Sequence, residues 1–228
     1  ITDSQCIIAI MFTLSPWSTG QVSLQVATGP RNGPPLMLLH GVLRSWRDFA
    51  SLWPALLPRW QVHALDHRGH GGSARSPGAY FVRDYAGDVE ALVQTRFAEG
   101  VVLFGHSLGA LVAVGVATRC PERIRAIILE EPPSPTFLAH VAETPWHTVW
   151  RGMRELAGSQ EPTAEIARKL ADVRQPTASG SVRLGDLRDP ASLRFSARCL
   201  ADVDPDVFTS LLAGKWLDGY DFARLCAG

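Results

Sequence analysis

The sequence has no excess of charge of either sign, because 22 lysine and arginine residues balance 22 aspartate and glutamate residues. A basic surface attracts nucleic acid or an anionic membrane, so this balance argues against both partners and favours a small molecule. The hydrophobic fraction of 46% and the charged fraction of 19% are typical of a globular protein rather than a disordered or membrane-spanning one. Oligomeric state is not predicted by any feature of the sequence.

Cysteine is scarce, and its four copies are scattered at Cys6, Cys120, Cys199 and Cys226 without a Cys-x-x-Cys pair. This spacing argues against a disulfide framework or a zinc site and favours reduced thiols in a cytoplasmic protein. The chain also lacks a phosphate-binding Gly-x-x-x-x-Gly-Lys loop and a dinucleotide fingerprint. We therefore expect no metal, nucleotide or redox cofactor.

The N-terminal region lacks the marks of a secretion signal. An apolar run covers residues 6–14, but no basic flank precedes it and Asp3 stands there instead. We expect translation to start at Met11 and residues 1–20 to be an N-terminal extension that is partly non-native.

One motif in the sequence predicts a catalytic residue. Gly105-His106-Ser107-Leu108-Gly109 follows the apolar run 101–104 and precedes a helical run of small residues at 110–117. Gly-x-Ser-x-Gly between a strand and a helix predicts a sharp turn that exposes the serine as a nucleophile. Glycines two positions before and after Ser107 remove side chains that would collide in such a turn. The free N–H groups at the start of the helix favour negative charge beside the serine. The alternative role for Ser107 is an ordinary helix N-cap.

Apolar runs and amphipathic stretches alternate through the first 132 residues. The predicted strands cover 21–27, 35–39, 60–65, 101–104 and 124–129, and the predicted helices cover 46–57, 81–97 and 107–120. This alternation predicts an α/β fold with a mostly parallel central sheet and helices on both faces. The carboxyl ends of such strands, where catalytic groups lie, carry His40-Gly41, Asp66, Ser107 and Glu130-Glu131.

The pattern changes after residue 132, where amphipathic stretches such as 163–173 and 192–200 are joined by proline and glycine. We interpret residues 133–214 as a helical cap inserted over the strand ends. Residues 21–132 then form the core, and residues 215–228 begin a return to it.

Three motifs in this order resemble the α/β hydrolase family over roughly residues 20–228. They are His40-Gly41 with Ser45-Trp46, the turn Asp66-His67-Arg68-Gly69-His70-Gly71-Gly72-Ser73, and the Gly-x-Ser-x-Gly turn. The resemblance implies that Ser107 is the nucleophile and that the backbone N–H groups of Val42 and Leu108 form an oxyanion hole. It also gives supporting roles to His40, Gly41 and His106: the first orients the oxyanion turn, and His106 lines the pocket floor.

The chain departs from the family pattern because no histidine follows His147. Family order is serine, acid and then histidine, so the triad histidine is not where the family keeps it. We therefore expect a C-terminally truncated α/β hydrolase fold that lacks its last strands and is inactive as this fragment. Glu131 is a possible alternative triad acid, and its other interpretation is a turn residue.

The resemblance implies a serine hydrolase of a small ester, lactone, thioester or similar carbonyl compound that acts through an acyl-enzyme. A serine rather than an aspartate at the nucleophile position argues against dehalogenase or epoxide hydrolase chemistry. An acyltransferase would use the same site. A non-catalytic binding protein on the same fold is the remaining alternative.

Overall fold

A six-stranded sheet lies at the centre of the fold. The computed structural model describes residues 12–221. The strand order is β1-β2-β4-β3-β5-β6, in which β1, β2 and β4 pair antiparallel and β4, β3, β5 and β6 pair parallel. The strands are β1 (Thr13–Ser18), β2 (Ser23–Thr28), β3 (Pro35–Leu39), β4 (Gln61–Leu65), β5 (Val101–His106) and β6 (Ile124–Glu130). The predicted α/β fold with a mostly parallel sheet is confirmed.

Helices cover both faces of this sheet. After a 3₁₀ segment at Trp46–Leu52, the helices are α1 (Trp53–Leu56), α2 (Val82–Arg96), α3 (Leu108–Arg119), α4 (Pro135–Ala139), α5 (Trp146–Leu156), α6 (Thr163–Asp172), α7 (Leu184–Leu187), α8 (Pro190–Ala201) and α9 (Val207–Leu212). Two further 3₁₀ turns lie at Pro121–Arg123 and Val141–Glu143. Within residues 12–221 no helix combines the length and apolarity needed to cross a bilayer.

Side chains of the central strands alternate between two cores. In β3, Met37 packs with α2 and α3, whereas Leu36 and Leu38 pack with Trp46 and Trp53 on the other face. This period of two is what a strand covered on both sides requires, and it explains why the parallel strands are continuous apolar runs in the sequence.

The assignment of residues 1–20 to an N-terminal extension needs a correction. Residues 13–18, assigned above to an extension, form β1, which pairs with β2 along its whole length. Phe12 is buried against Trp46 and Trp53. This segment was missed because Pro16 and three polar residues interrupt its apolar pattern. The proposed start at Met11, as well as Cys6 and Cys226, lies outside the described residues.

The region assigned to a cap is mostly helical, as its amphipathic pattern indicates, but it is not helical throughout. An antiparallel hairpin, β7 (Arg174–Thr177) and β8 (Gly180–Arg183), follows α6. The short, polar strands of this hairpin have no apolar alternation, so no local pattern predicts them.

Tyr80 joins the C-terminal part of the described chain to the core. Its hydroxyl donates to the Asp204 carboxylate over 2.7 Å. Its backbone carbonyl accepts hydrogen bonds from Ser210 Oγ and Trp216 Nε1, both at 3.0 Å. Further along, the Tyr220 hydroxyl donates to the Leu111 carbonyl in α3. These bonds hold α9 and the residues after it against α2 and α3.

Candidate active site

Ser107 lies at the junction of β5 and α3 in a backbone conformation that non-glycine residues rarely adopt. Its φ is 52° and its ψ is −111°. The Ser107 N–H donates to the Glu130 carbonyl over 2.9 Å, and the Ser107 carbonyl accepts from Ala110 N–H over 3.0 Å. Neighbouring strand and helix thus hold a strained turn, as occurs at functional sites.

The glycines of the motif are required by close backbone contacts. A Cβ atom at Gly105 would lie 2.2 Å from the Gly109 carbonyl oxygen, and one at Gly109 would lie 2.0 Å from the Leu39 carbonyl oxygen. Neither distance is compatible with a side chain. The turn at residues 105–109 therefore packs directly on the end of β3, where His40 and Gly41 follow.

The loop after β3 is held by two buried histidines. His40 donates from Nδ1 to the Gly41 carbonyl at 2.7 Å and accepts the His67 N–H at Nε2 over 3.0 Å. His70 donates from Nδ1 to the Arg68 carbonyl and accepts the Leu43 N–H at Nε2 over 3.2 Å. Val42 lies in this loop, and Leu108 directly follows Ser107. The backbone N–H groups of both residues have no acceptor within residues 12–221.

Burial keeps these histidines neutral. It lowers the pKa of His40 to about 4, with smaller contributions from His106 and Arg44, and it lowers the pKa of His70 to about 3, with a smaller contribution from His40. His67, packed edge-on against His40, has its pKa lowered well below the usual value for the same reason. With both ring nitrogens in hydrogen bonds, His40 and His70 support the loop and have no free nitrogen to accept a proton from Ser107.

The Asp66 turn braces the site, as the short polar side chains of such turns usually do. Asp66 accepts the Trp46 N–H at 2.7 Å and the Gly72 N–H at 2.9 Å. Its burial raises its pKa, and these two hydrogen bonds act in the opposite direction. Arg68 forms two hydrogen bonds of 2.6 Å to Asp88 and ties the turn to α2.

A cavity of about 260 Å³ opens above Ser107. Its walls come from the loop after β3, from the turn that contains Ser107 and from the helical region after residue 132. The lining residues are Gly41, Val42, Leu43, Arg44, His106, Ser107, Trp146, Trp150, Met153, Leu170, Gln175, Arg188, Ser196 and Leu200. A larger cleft of about 520 Å³ lies beside Arg47 and Asp202 and does not include Ser107.

His106 lies in the cavity wall between two carboxylates. Its Nε2 is 3.9 Å from the Glu131 carboxylate and its Nδ1 is 4.0 Å from the Asp48 carboxylate. Glu131 has a φ of 48° and its side chain is 84% exposed. The sequence singled out His106 and Glu131 separately, and the structure brings them together beside Ser107.

Two cationic side chains of the cavity were missed by the sequence analysis. Arg44 lies in the loop after β3, and Arg188 comes from the segment between α7 and α8, far away in sequence. Single arginines form no motif, so no sequence signal could have identified them. Within residues 12–221, no group of three or more histidine, cysteine, aspartate or glutamate side chains is arranged to hold a metal ion.

Comparison with curated proteins gives partial matches. A 2-(acetamidomethylene)succinate hydrolase of Mesorhizobium japonicum is 33% identical over 109 residues, which are 48% of this chain and 39% of that protein. Epoxide hydrolase B of Mycobacterium tuberculosis is 35% identical over 108 residues, which are 45% of this chain and 30% of that protein. The chain thus matches about two fifths or less of the length of these relatives.

Comparison with solved structures aligns nearly the whole chain with known proteins. A solved structure of N-formylmaleamic acid deformylase from Pseudomonas putida superimposes with a TM-score of 0.72 and 20% sequence identity, covering 94% of this chain and 77% of the other. At that identity the likeness shows the fold alone. The sequence model of the alpha/beta hydrolase fold matches residues 34–188, about two thirds of the chain. The chain therefore belongs to the α/β hydrolase fold family.

Proposed function

We propose that this chain provides the nucleophile and the oxyanion hole of a serine hydrolase that acts on a small carbonyl compound through an acyl-enzyme. The observation that carries the proposal is the strained backbone of Ser107, whose turn opens on a cavity of about 260 Å³. A strained backbone persists only where the surrounding structure enforces it, and such positions cluster at functional sites.

The proposed reaction begins with attack of Ser107 Oγ on the substrate carbonyl carbon. The carbonyl π electrons move to oxygen, and the resulting oxyanion accepts hydrogen bonds from the N–H groups of Val42 and Leu108. Both donors lack an acceptor within the described residues, and the first N–H groups of any helix are unpaired. Loss of one such donor typically slows acyl transfer by a factor of about 10²–10³.

An acyl substrate fits a serine nucleophile better than an epoxide does. Attack on a carbonyl gives a serine ester, which water can hydrolyse through a second tetrahedral intermediate in the same oxyanion hole. Attack on an epoxide would leave a serine ether without a carbonyl, which the oxyanion hole could not help to cleave. The likeness to an epoxide hydrolase is thus assigned to the shared fold.

The proposed substrate class is an ester, thioester, lactone or amide. Amides join this class because two of the similar proteins are, by name, an (acetamidomethylene)succinate hydrolase and an N-formylmaleamic acid deformylase. In the proposed reaction the Ser107 proton passes to a base and then to the leaving group, which departs as the tetrahedral intermediate collapses. His106, the histidine that lines the Ser107 cavity within residues 12–221, is assigned to the cavity wall and not to this base. Because an oxyanion hole alone retains part of the rate of acyl transfer when the base is lost, we expect slow labelling of Ser107 even without a positioned base.

Labelling with a fluorophosphonate tests the proposal. We expect the reagent to phosphonylate Ser107 in the wild type and to leave Ser107→Ala unmodified. Ser51→Ala is the matched control, because Ser51 is an exposed serine outside the cavity wall and its loss should not affect labelling. Absence of labelling in folded wild type, or equal labelling of Ser107→Ala, would refute the proposed nucleophile.

A further inference from the structure

The wall of the Ser107 cavity carries positive charge but no acidic side chain. Arg44 and Arg188 are its two charged residues in the structure apart from the titratable His106. Trp150 adds an indole N–H that is buried and has no acceptor within residues 12–221, and Gln175 adds a side-chain amide. The cavity therefore offers hydrogen-bond donors well in excess of acceptors.

Arg188 has no charge partner in the described chain. It is half-buried, and residues 12–221 provide neither an ion pair nor a side-chain hydrogen bond for its guanidinium. Burial and the nearby charge of Arg44 lower the pKa of Arg188. A cation that loses water without gaining an anion is destabilising, so an arginine in this state indicates a site that is completed by a ligand.

The guanidinium group of Arg44 has only part of its charge and hydrogen-bonding capacity paired within the described residues. One guanidinium nitrogen donates to Ser196 Oγ over 3.2 Å, and Nε lies 3.8 Å from the Asp48 carboxylate. Asp48 is also the carboxylate that lies 4.0 Å from His106. Within residues 12–221, Asp48 is the carboxylate beside Arg44 and none is paired with Arg188, which leaves one positive charge of the cavity wall without compensation. A substrate with a single negative charge would balance it.

We propose that Arg188, assisted by Arg44, binds a carboxylate of the substrate, so that the compound cleaved at Ser107 is a small monoanionic acyl compound. This inference rests on the proposed function and specifies its substrate class. The planar guanidinium fork matches the two oxygens of a carboxylate. The volume of about 260 Å³ limits the substrate to a compact molecule whose carboxylate lies close to the scissile carbonyl.

A pair of boronic acids provides the test. Boronic acids form a tetrahedral adduct with a serine nucleophile, so 3-carboxyphenylboronic acid and its methyl ester compare a charged ligand with a neutral one that is larger by a single methyl group. Trp146 and Trp150 line the cavity, and tryptophan fluorescence can report binding of both compounds. We expect the carboxylate to bind wild-type protein at least about tenfold more tightly than the ester, as a charge-assisted hydrogen bond allows.

Variants assign that preference to Arg188. Arg188→Gln should bind the two boronic acids about equally, and Arg44→Gln should retain part of the preference. Arg194→Gln is the matched control, since Arg194 is an exposed arginine of helix α8 outside the cavity wall and its loss should leave the preference intact. Thermal melts of each variant confirm that it is folded.

Equal binding of the two compounds by wild type, or no binding of either, would overturn the carboxylate site. Retention of the full preference in Arg188→Gln would overturn the role of Arg188. Fluorophosphonate labelling of the same samples separates this failure from failure of the nucleophile: labelled protein without a charge preference refutes only the carboxylate site, whereas protein without labelling refutes the proposed function.

Discussion

At the scale of single residues, the site depends on histidines whose roles differ although they lie within one region. His40 and His70 use both ring nitrogens to hold the loop that carries Val42. His106 instead faces the cavity, with carboxylates near each nitrogen and no hydrogen-bond partner for its buried Nδ1. The difference comes from position: the first two lie under the loop, and His106 ends β5.

The first prediction concerns His106. We expect His106→Gln to slow fluorophosphonate labelling of Ser107 by less than about tenfold, because the residue lines the pocket floor and does not act as the base. A positioned general base contributes about 10²–10⁴ to a rate. A loss of that size, accompanied by loss of the acidic limb of the rate–pH profile, would instead identify His106 as the proton acceptor. Glu131→Gln is the companion variant, since Glu131 lies 3.9 Å from His106.

The second prediction concerns the pH dependence of the free energy of unfolding that arises from His63, a residue of β4 away from Ser107. Burial, reinforced by the charge of Arg31, lowers its pKa to about 4. Between pH 6.5 and 4 the unfolded chain binds a proton at this residue and the folded chain does not. The free energy of unfolding must therefore fall as the pH falls through this window, by up to about 3 kcal/mol for this group.

Urea unfolding at pH 7, 6, 5 and 4.5 measures this dependence, and His63→Gln isolates it. The variant keeps a side chain that can bond Thr28, the present partner of His63 Nδ1. Its stability should fall less steeply, by up to about 1.4 kcal/mol per pH unit. The buried carboxyls Asp66 and Asp88, whose raised pKa values act with opposite sign, contribute equally to both proteins. Identical slopes would show that His63 titrates normally in the fold.

At the scale of elements, the strands that carry the site were predictable because burial on both faces makes them apolar. β3 was predicted with its observed bounds, and the strand preceding Ser107 was predicted two residues short. The predicted helix over 46–57 is instead a 3₁₀ segment followed by the single turn α1. Strand β1 and the β7–β8 hairpin lack apolar alternation, and the sequence therefore gave no sign of them.

The residues of the candidate site likewise fall into those that a local sequence pattern predicts and those that it does not. Ser107 and its glycines were predictable because a tight turn restricts which residues can occupy it. Arg188 was not, because its place in the cavity depends on how the cap packs on the core, which no local pattern encodes. The pairing of His106 with Glu131 likewise depends on the neighbouring ends of β5 and β6.

The third prediction tests the packing of α3 on β3 at Gly109. A Cβ at this position would lie 2.0 Å from the Leu39 carbonyl oxygen, so Gly109→Ala must displace the helix or the strand. We expect it to lower the free energy of unfolding by at least about 2 kcal/mol. Chemical unfolding of purified variants gives the measurement.

Gly87→Ala is the matched control in helix α2. No atom outside the helix lies within 4 Å of the added Cβ, and Gly87 is exposed. Alanine is the better helix former, so this variant should gain about 0.5–1 kcal/mol. Gly109→Ala with wild-type stability would mean that the turn that contains Ser107 is not packed on β3 as closely as the structure has it.

At the scale of the whole molecule, one edge of the sheet is open. In residues 12–221, β6 pairs only with β5, and its residues Ile128 and Leu129 are 49% and 39% exposed. An apolar edge strand presents unpaired N–H and carbonyl groups to other chains. The opposite edge, β1, carries serines and threonine in place of such a run.

The fourth prediction is that the 228-residue polypeptide self-associates through this edge. Light scattering should show an apparent mass that rises with protein concentration, and Ile128→Lys should shift the protein towards the monomer. Leu187→Lys is the control, because Leu187 is equally exposed but lies on α7 of the cap. A wild-type chain that stays monomeric at every concentration would contradict this prediction.

Acylation of Ser107 is the step on which the proposed activity depends, and trapping the acyl-enzyme measures it most directly. The protein is incubated with 4-nitrophenyl acetate, quenched in acid, digested and analysed by mass spectrometry. We predict one acetyl group on the peptide that contains Ser107, and none on the corresponding peptide of Ser107→Ala. An unmodified Ser107 in folded wild-type protein, with acetylation elsewhere or nowhere, would contradict the account.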